Sequence, residues 1–501
     1  MSHANSGQKS SGEKSGVVRQ YRVIPILQAG SMADANTARA TPQVQESNGL
    51  PGSLVADWHD KAISRLGELL RERRGLQVFM DTCTKCGACT DKCHYFLGTA
   101  DPKNMPVARQ DLLRSVYRRY FTLAGKLMPK LVGARDLDKA MLEDWYRYFH
   151  QCSECRRCTV FCPKGIDTSE VTMAGRDILA NIGLGQQYSQ EIISKVNRIG
   201  NNLGMKKHAL ADVLESLEED IVEDTGIAVK LPLDDRDADM LVVTPSADFY
   251  AEPHVDGLIG MAKVLHAAGI RWTFSSVASE AANFALFTGQ HEQMQSIAQR
   301  ISTAARELRV KRIVMGECGH AWRVAYSFME TLVGDFDYLD PEHPRPEHIC
   351  ELSYQLLQAG AITLEPERNA GKIVTFHDSC NVARGAGMGG VKGGQFTIPR
   401  TLLEASVPRL VEMSKDTTHQ KTFCCGGGGG LLTEDLMDVR IKGALPRAQA
   451  LKAVVDSDKV THLVAICAIC KTQLSQVLPH HDLGDVQVTS LHHLLGDALV
   501  L

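Results

Sequence analysis

The sequence predicts a mixed α+β and α/β chain: a helical, cysteine-rich unit followed by two copies of an α/β unit, the first copy degenerate. Three observations predict it. Eight of the 15 cysteines fall within residues 81–170, in two groups separated by a helical-looking segment, Val107 to His150. Over residues 238–501, strand-like runs (MLVVT, RIVMG, KIVTF, KTFCC, HLVAI, VQVTS) alternate with amphipathic stretches such as GLIGMAKVLHAAG. An internal repeat relates KRIVMGECGHAW to HLVAICAICKTQ, and DMLVVTPSADFY to KIVTFHDSCNVA. The expected divisions are an extended tail and linker over 1–75, a helical unit with its connector over 76–235, a degenerate repeat over 236–365 and an intact repeat over 366–501.

Residues 1–16 are polar and rich in Ser, Gly and Lys. The apolar stretch Val17 to Leu27 reads either as an extended peptide that pairs with a partner or as a strand docked on the chain's own surface. SMADANTARATPQVQESNGLPGS after it reads as a linker. The 501 residues, 44% hydrophobic and 23% charged, suffice for two or three globular cores. A net charge of −4 argues against bulk binding to nucleic acid. No apolar run reaches the roughly 20 residues that span a bilayer. The N-terminus has neither a Sec-type apolar core nor a twin-arginine pair. The expectation is a cytoplasmic chain with no transmembrane helix of its own, in which 15 thiols, an odd number, point to metal instead of disulfides.

The first cysteine run is Cys83, Cys86, Cys89 and Cys93; the second is Cys152, Cys155, Cys158 and Cys162, followed by Pro163. Both have the bacterial ferredoxin spacing. Three thiolates on a tight loop wrap three irons of one cube, and the fourth, at the start of the next helix, serves the other cube. One cubane [4Fe–4S] cluster is therefore expected on Cys83, Cys86, Cys89 and Cys162, and the other on Cys152, Cys155, Cys158 and Cys93. Structural zinc, the competing reading, uses separated pairs of ligands. His94 stands where the pattern has proline. From Lys103 to Lys130 there are seven Lys/Arg and one Asp. That stretch reads as a solvated helix face or as a docking face for a membrane-embedded subunit or an acidic partner. Residues 172–235 read as a connector with acidic patches.

The last repeat holds Cys380 in HDSCNVAR, Cys424 and Cys425 in FCCGGGGG, and Cys467 and Cys470 in AICAIC. Each lies at the end of an expected strand, the edge where open α/β sheets bind ligands. Gly426 to Gly430 allow positive φ and close approach of backbone N–H groups. Five thiols are one more than a cube needs; zinc or a redox-active dithiol are the alternatives. His377 reads as a proton donor to a leaving thiolate or as a strand-end filler. Arg384 reads as a partner for a thiolate or an acidic tail. In the first repeat only Cys318 remains, and His320 beside it reads as a helix-start residue more than as a ligand. Cys350 reads as a buried core thiol.

Cys380, Cys424-Cys425-Gly426 and Cys467-x2-Cys470 resemble the CCG cysteine-rich domain of heterodisulfide reductases. The gaps, 43 residues from Cys380 to Cys424 and 40 from Gly426 to Cys467, are somewhat longer than is usual there. The resemblance implies a further [4Fe–4S] cluster, non-cubane, on these five catalytic cysteines. The order of two ferredoxin motifs, a degenerate repeat and an intact repeat resembles the fused, D-like iron–sulfur chains of membrane-linked heterodisulfide reductase and their glycolate oxidase and glycerol-3-phosphate dehydrogenase relatives. Within that family, FMDTCTKCGACTDKCHYFLGTADPKNMPVARQ, FHQCSECRRCTVFCPKGIDTSEV and VMGECGHAWR are most similar to the DsrK group. These are the iron–sulfur subunits of sulfite-reductase-associated membrane complexes. The resemblance covers about residues 75–501. It implies an oxidoreductase that exchanges electrons between a haem-b, quinone-linked membrane subunit and a disulfide or trisulfide of a DsrC-type sulfur carrier, in dissimilatory sulfur metabolism. It also implies peripheral attachment to the inner face of the cytoplasmic membrane through partner subunits. The competing readings are an electron-relay subunit of a flavin-dependent dehydrogenase and a redox-sensing scaffold.

Overall fold

A computed structural model describes residues 30–501; the Val17 to Leu27 stretch lies outside them. Helices α1 (Pro42–Ser47), α2 (Trp58–Glu72) and α3 (Arg74–Thr82) open the described chain. On α2, Ala62, Leu66, Leu69 and Leu70 recur at helical spacing and are buried in the core of the helical unit. The described part of the expected tail and linker is therefore folded. Its polar composition conceals this because side-chain amides hold it in place. Gln45 donates to the carbonyls of Gly52 and Gly183 and accepts from the Gly185 N–H, while Asn48 donates to Gln190. Buried amides that bond the backbone do here what apolar side chains do elsewhere.

The helical unit continues through α4 (His94–Thr99), α5 (Pro106–Phe121), α6 (Leu123–Leu127), α7 (Pro129–Val132), α8 (Lys139–Phe149), α9 (Arg157–Val160) and α10 (Thr168–Asn181). Asp138 caps α8 by accepting from Met141 N–H, and Asp167 caps α10 from Ser169 N–H. Trp145, Phe149, Val171 and Ile178 share one core with α2 and α5, each fully buried large side chain contributing roughly 1.5–3 kcal/mol. Gly175 on α10 admits the Phe149 ring; a Cβ there would sit 2.2 Å from it. Helices α11 (Gln187–Ile199) and α12 (Lys207–Thr225) lead on to the repeats.

The first repeat runs β1 (Met240–Val243), α13 (His254–Ala267), β2 (Trp272–Thr273), α14 (Ala285–Thr288), α15 (His291–Leu308), β3 (Arg312–Met315), α16 (Gly319–Ser327), α17 (Met329–Val333), β4 (Glu347–His348) and α18 (Ile349–Gln358). The second runs β5 (Ile373–His377), α19 (Cys380–Gly385), α20 (Gly394–Ser406), β6 (Arg409–Val411), α21 (Met437–Asp458), β7 (His462–Ala465), α22 (Ala468–Val477), β8 (Gln487–Thr489) and α23 (Leu491–Ala498). Each builds a four-stranded parallel sheet of the same order, β2-β1-β3-β4 and β6-β5-β7-β8. Strand β1 pairs with β3 from Met240↔Arg312, and β5 with β7 from Val374↔His462. In each sheet the chain leaves the central pair in opposite directions, so the switch point lies between β5 and β7, and between β1 and β3.

Five of the six expected strands are present. KTFCC is the exception: it runs as a loop whose carbonyls are taken by arginine side chains. Arg157 donates to Lys421 O at 2.9 Å, Arg384 to Thr422 O at 3.0 Å, and Arg447 to Phe423 O at 3.4 Å and Thr422 Oγ1 at 2.7 Å, in place of a strand ladder. The added strands β2, β4 and β6 have only two or three residues, too few to show alternation.

The two repeats join closely. A Cβ on Gly260 of α13 would sit 1.8 Å from His492 O of α23, and one on Gly496 would sit 2.5 Å from Gly260 Cα. Beside this crossing, buried Lys471 reaches Glu317 Oε2 at 3.2 Å and His492 Nδ1 reaches Glu317 Oε1 at 2.8 Å. Burial opposes the charge on Glu317, yet Lys471 and His492 hold its carboxyl well below the ordinary range.

Several histidines are buried neutral. Burial lowers His150 and His348 from 6.5 to about 3. On unfolding they regain a pKa near 6.5, so their contribution is present above that value and is lost as pH falls from 6.5 towards 3. The thermal midpoint should therefore be lower at pH 5.5 than at pH 7.5. The variant His348→Asn keeps an acceptor for the Cys350 N–H and should show a shallower pH slope; an unchanged slope would contradict the assignment.

Candidate functional site

The two ferredoxin-type runs line two adjoining cavities. Cys83, Cys86, Cys89 and Cys162 surround a cleft of about 430 Å³, with Cys158 on its inner wall. Cys93, Cys152, Cys155 and Cys158 surround a second of about 350 Å³. Pro106, at the start of α5, lines both. The exchange of fourth cysteines comes from local structure. Cys93 is the residue before α4, and Cys162 closes the turn after α9, so each points out of its own loop. Lys85, Gly87, Glu154 and Arg156 take positive φ, which curls the loops around their cavities. Burial pushes the Cys89 thiol up to about 11. Arg109, buried, is anchored by Tyr148 O at 2.9 Å and Asn104 Oδ1 at 2.8 Å. Against the cost of burial, the sulfurs of Cys152, Cys93 and Cys158 sustain its charge.

His94, which replaces the expected proline, ties the second cavity to the last repeat. Its Nδ1–H donates to Gly443 O at 2.8 Å on α21, and its Nε2 accepts from Ser153 Oγ at 2.8 Å. Tyr95 donates to Gly426 O at 2.6 Å. Substitution by proline would remove the first of these bridges.

All five cysteines of the last repeat are buried and adjacent. Cys380 opens α19 beyond β5, and Cys467 precedes α22 beyond β7, so the two flank the switch point. The pair Cys424-Cys425 arrives on the Arg447-bound loop, not on a strand end. Cys424 accepts from the thiols of Cys155, Cys380 and Cys425, which hold it well below the ordinary thiol range. Cys425 meets Cys470, and Cys470 meets Cys467. The Cys470 thiol, together with the N–H groups of Cys470, Gly319 and Ile469, brings Cys467 down to about 7. Gly426 N–H points at Cys424 Sγ, 3.4 Å away. Gly426, Gly429 and Gly430 all have positive φ. A Cβ on Gly429 would sit 2.7 Å from Cys152 O, so only glycine lets this loop lie against the ferredoxin loop.

His377 is buried near Cys424, and both ring nitrogens lack a protein partner. Burial lowers it to about 3, so the ring is neutral and resists protonation. Arg384, half-buried, lies close enough to Cys155 and Cys380 for its charge to favour their thiolates. It donates to the carbonyls of Cys155, Gln420 and Thr422 and braces the two loops. His320 lies between Phe284 and Phe287, with Nδ1 3.3 Å from Cys318 Sγ, a packed helix-start residue. Cys350 is fully buried, apart from the five thiols.

Three features escape the sequence. Cys155 belongs to the second cavity and also meets Cys424. Gly319, from the degenerate repeat, donates its N–H to Cys467, and a Cβ there would sit 3.3 Å from the Cys467 Sγ. Arg176 fastens the loops together from behind, donating to Cys152 O at 2.8 Å and Gly429 O at 2.6 Å, 3.1 Å from the Glu154 carboxylate. Burial pushes Glu154 up to about 8. Only the repeat alignment of GECGHAW with AICAIC signals any of these in advance.

The donors are thiols, and they stand around cavities: among the described residues no group of three or more His, Cys, Asp or Glu is arranged to hold a single metal ion. That donor set fits clusters whose irons bring their own bridging sulfides. Among the described residues no helix is long and apolar enough to cross a membrane.

Known proteins sort the chain further. Residues 79–166 match the 4Fe-4S dicluster domain family, and residues 374–475 match the cysteine-rich domain family. The Hdr-like menaquinol oxidoreductase iron-sulfur subunit of Archaeoglobus profundus is 36% identical over 479 residues, covering 89% of this chain and 84% of that protein. The second iron-sulfur subunit of the Hdr-like menaquinol oxidoreductase of Archaeoglobus fulgidus is similar to the same degree, 36% over 479 residues, 89% and 84%. The dihydromethanophenazine:CoB–CoM heterodisulfide reductase of Methanosarcina barkeri has a component that is 24% identical over 436 residues, 84% of this chain and 94% of that one. No solved structure matches the chain.

Arg176→Met should strip the buried carbonyls of Cys152 and Gly429 of their donor and cost roughly 1–3 kcal/mol for each. Anaerobic guanidinium unfolding should show the loss. Equal stability of wild type and the single variant would contradict the bracing role.

Proposed function

Because the chain belongs to the family of Hdr-like menaquinol oxidoreductase iron-sulfur subunits, we propose that it passes electrons between a quinone-linked, haem-b membrane subunit and a sulfur–sulfur bond. Cys83, Cys86, Cys89 and Cys162 hold one cubane [4Fe–4S] cluster, and Cys152, Cys155, Cys158 and Cys93 hold the other. Cys380, Cys424, Cys425, Cys467 and Cys470 hold a third, non-cubane cluster. The clusters supply single-electron transfer and, at the third site, an iron surface to which sulfur binds. The substrate is a disulfide or trisulfide on a DsrC-type carrier protein, as in the DsrK group, and the chain is held at the inner face of the cytoplasmic membrane by its partner subunits.

One observation carries this reading: the Cys155 thiol lies against Cys424. The second cavity and the third site therefore adjoin at this thiol pair. The relatives' names support both ends of the path, since two are menaquinol oxidoreductase subunits and one is a heterodisulfide reductase subunit. The chain's own groups set the chemistry. Arg109 offsets negative charge at the second cavity. Backbone N–H groups of Gly319, Ile469 and Cys470 stabilise negative sulfur at Cys467. His377, neutral and without a protein partner, is placed to share a hydrogen bond with a bound sulfur group. Burial of all five thiols excludes bulk water, and a sulfur presented on a slender peptide tail suits such a site.

Anaerobically purified protein should contain about 12 iron atoms per chain, four for each cluster. Cys425→Ser should lower this to about eight and abolish reduction of a protein disulfide or trisulfide while the ferredoxin-type EPR signals persist. About eight iron atoms in the wild type would remove the third cluster. Co-purification with a flavoprotein in place of a haem-b subunit would favour a dehydrogenase relay.

A further inference from the structure

The stretch from Phe121 to Leu131 concentrates exposed apolar side chains. Phe121 is 37% exposed, Leu123 74%, Leu127 70%, Met128 50% and Leu131 78%. Other large exposed apolar residues, such as Val78, Tyr250 and Val391, are scattered singly, as on any folded surface. Five within 11 residues form a patch that asks for an occupant.

This exposure is built into the fold. Thr122 caps α6 by accepting from Gly125 N–H at 3.1 Å. Pro129 begins α7, and Gly133, at φ +65°, ends it. Gly125 lies so close to α5 that a Cβ would sit 1.8 Å from Arg118 O. Arg118 Nη1 donates to Val132 O at 2.6 Å, and Arg135 N to Ser115 O at 3.1 Å. The hairpin backbone is thus tied to α5 while its leucines face outward.

Charge complements the leucines. Residues 112–135 contain six Lys/Arg and no Asp or Glu. Arg114 is buried and Arg119 pairs with Asp136 at 2.6 Å. Lys126, Lys130 and Arg135 are exposed among and beside the leucines, with no ion pair among the described residues.

We propose that the α6–α7 hairpin inserts into the surface of an anionic lipid bilayer. Leu123, Leu127, Met128 and Leu131 enter the acyl boundary, and Lys126, Lys130 and Arg135 meet headgroup phosphates. Magnitudes favour lipid over a folded partner. A folded partner needs an acidic, shape-matched face of about 800 Å², whereas interfacial insertion needs only a few protruding apolar side chains and a basic rim, which is what this hairpin presents. The contact goes beyond the redox reading and is measured without turnover, so either can fail alone.

The test is co-sedimentation of the full-length, cluster-loaded protein with vesicles of phosphatidylcholine, alone or mixed equally with phosphatidylglycerol. Wild type should partition onto the mixed vesicles and weaken with added salt. Leu127→Asp/Leu131→Asp should reduce binding by roughly 10-fold or more. Lys126→Glu/Lys130→Glu should reduce it by roughly the same factor on anionic vesicles. Circular dichroism and iron content should match wild type in both variants, because the positions are exposed. Absence of wild-type binding, or unchanged binding by the leucine variant, would overturn the proposal. So would a dimer in light scattering that the leucine variant dissolves, which would assign the patch to a second copy.

Discussion

Cys155 and Cys424 come from units more than 250 residues apart in sequence, yet their thiols meet, and the surrounding structure is arranged to keep them there. Gly429 can lie on the Cys152 carbonyl only because it has no Cβ. Arg176 holds that carbonyl and Gly429 O in one guanidinium, and Arg384 braces Cys155 against the loop leading to Cys424. His94 and Tyr95 add hydrogen bonds from the first cysteine run to α21 and Gly426. Arg176, His94 and Tyr95 are buried donors with oxygen acceptors, where a lost partner costs the full desolvation of the other. The juncture is therefore stiff.

The two sheets supply the platform. Their shared strand order puts a switch point at the carboxyl ends of β5 and β7, where Cys380 and Cys467 emerge, and an equivalent point in the first repeat, where Cys318 and Gly319 emerge. The degenerate repeat has no cysteine pair of its own. It still contributes to the intact repeat's site by offering the Gly319 N–H to Cys467. The glycine crossing of α13 and α23 and the Lys471–Glu317–His492 cluster fix the repeats at the spacing this contact needs.

Much of this is legible in the sequence because cysteine spacing is a local signal: the two runs, the glycine-rich pair and the C-x2-C each declare themselves within a few residues. Strand runs are legible where four or five apolar residues pass through a buried parallel sheet. KTFCC misleads because its apolar content suggests a strand, while three distant arginines, Arg157, Arg384 and Arg447, take the carbonyls of Lys421, Thr422 and Phe423. The segment before residue 75 misleads because its order rests on Gln45 and Asn48 amides instead of an apolar stripe. Arg384 and the Cys155–Cys424 contact are beyond reach, since both depend on how two units dock, which no local pattern encodes.

The central claim is spatial: three iron sites in a row, the last one bounded by Cys155 and the five thiols of the second repeat. Anomalous diffraction at the iron edge from anaerobically grown crystals tests it most directly. The account predicts three compact iron peaks, between Cys83 and Cys162, between Cys93 and Cys158, and among Cys380, Cys424, Cys425, Cys467 and Cys470. Two peaks alone, or a third lying away from Cys424, would contradict it.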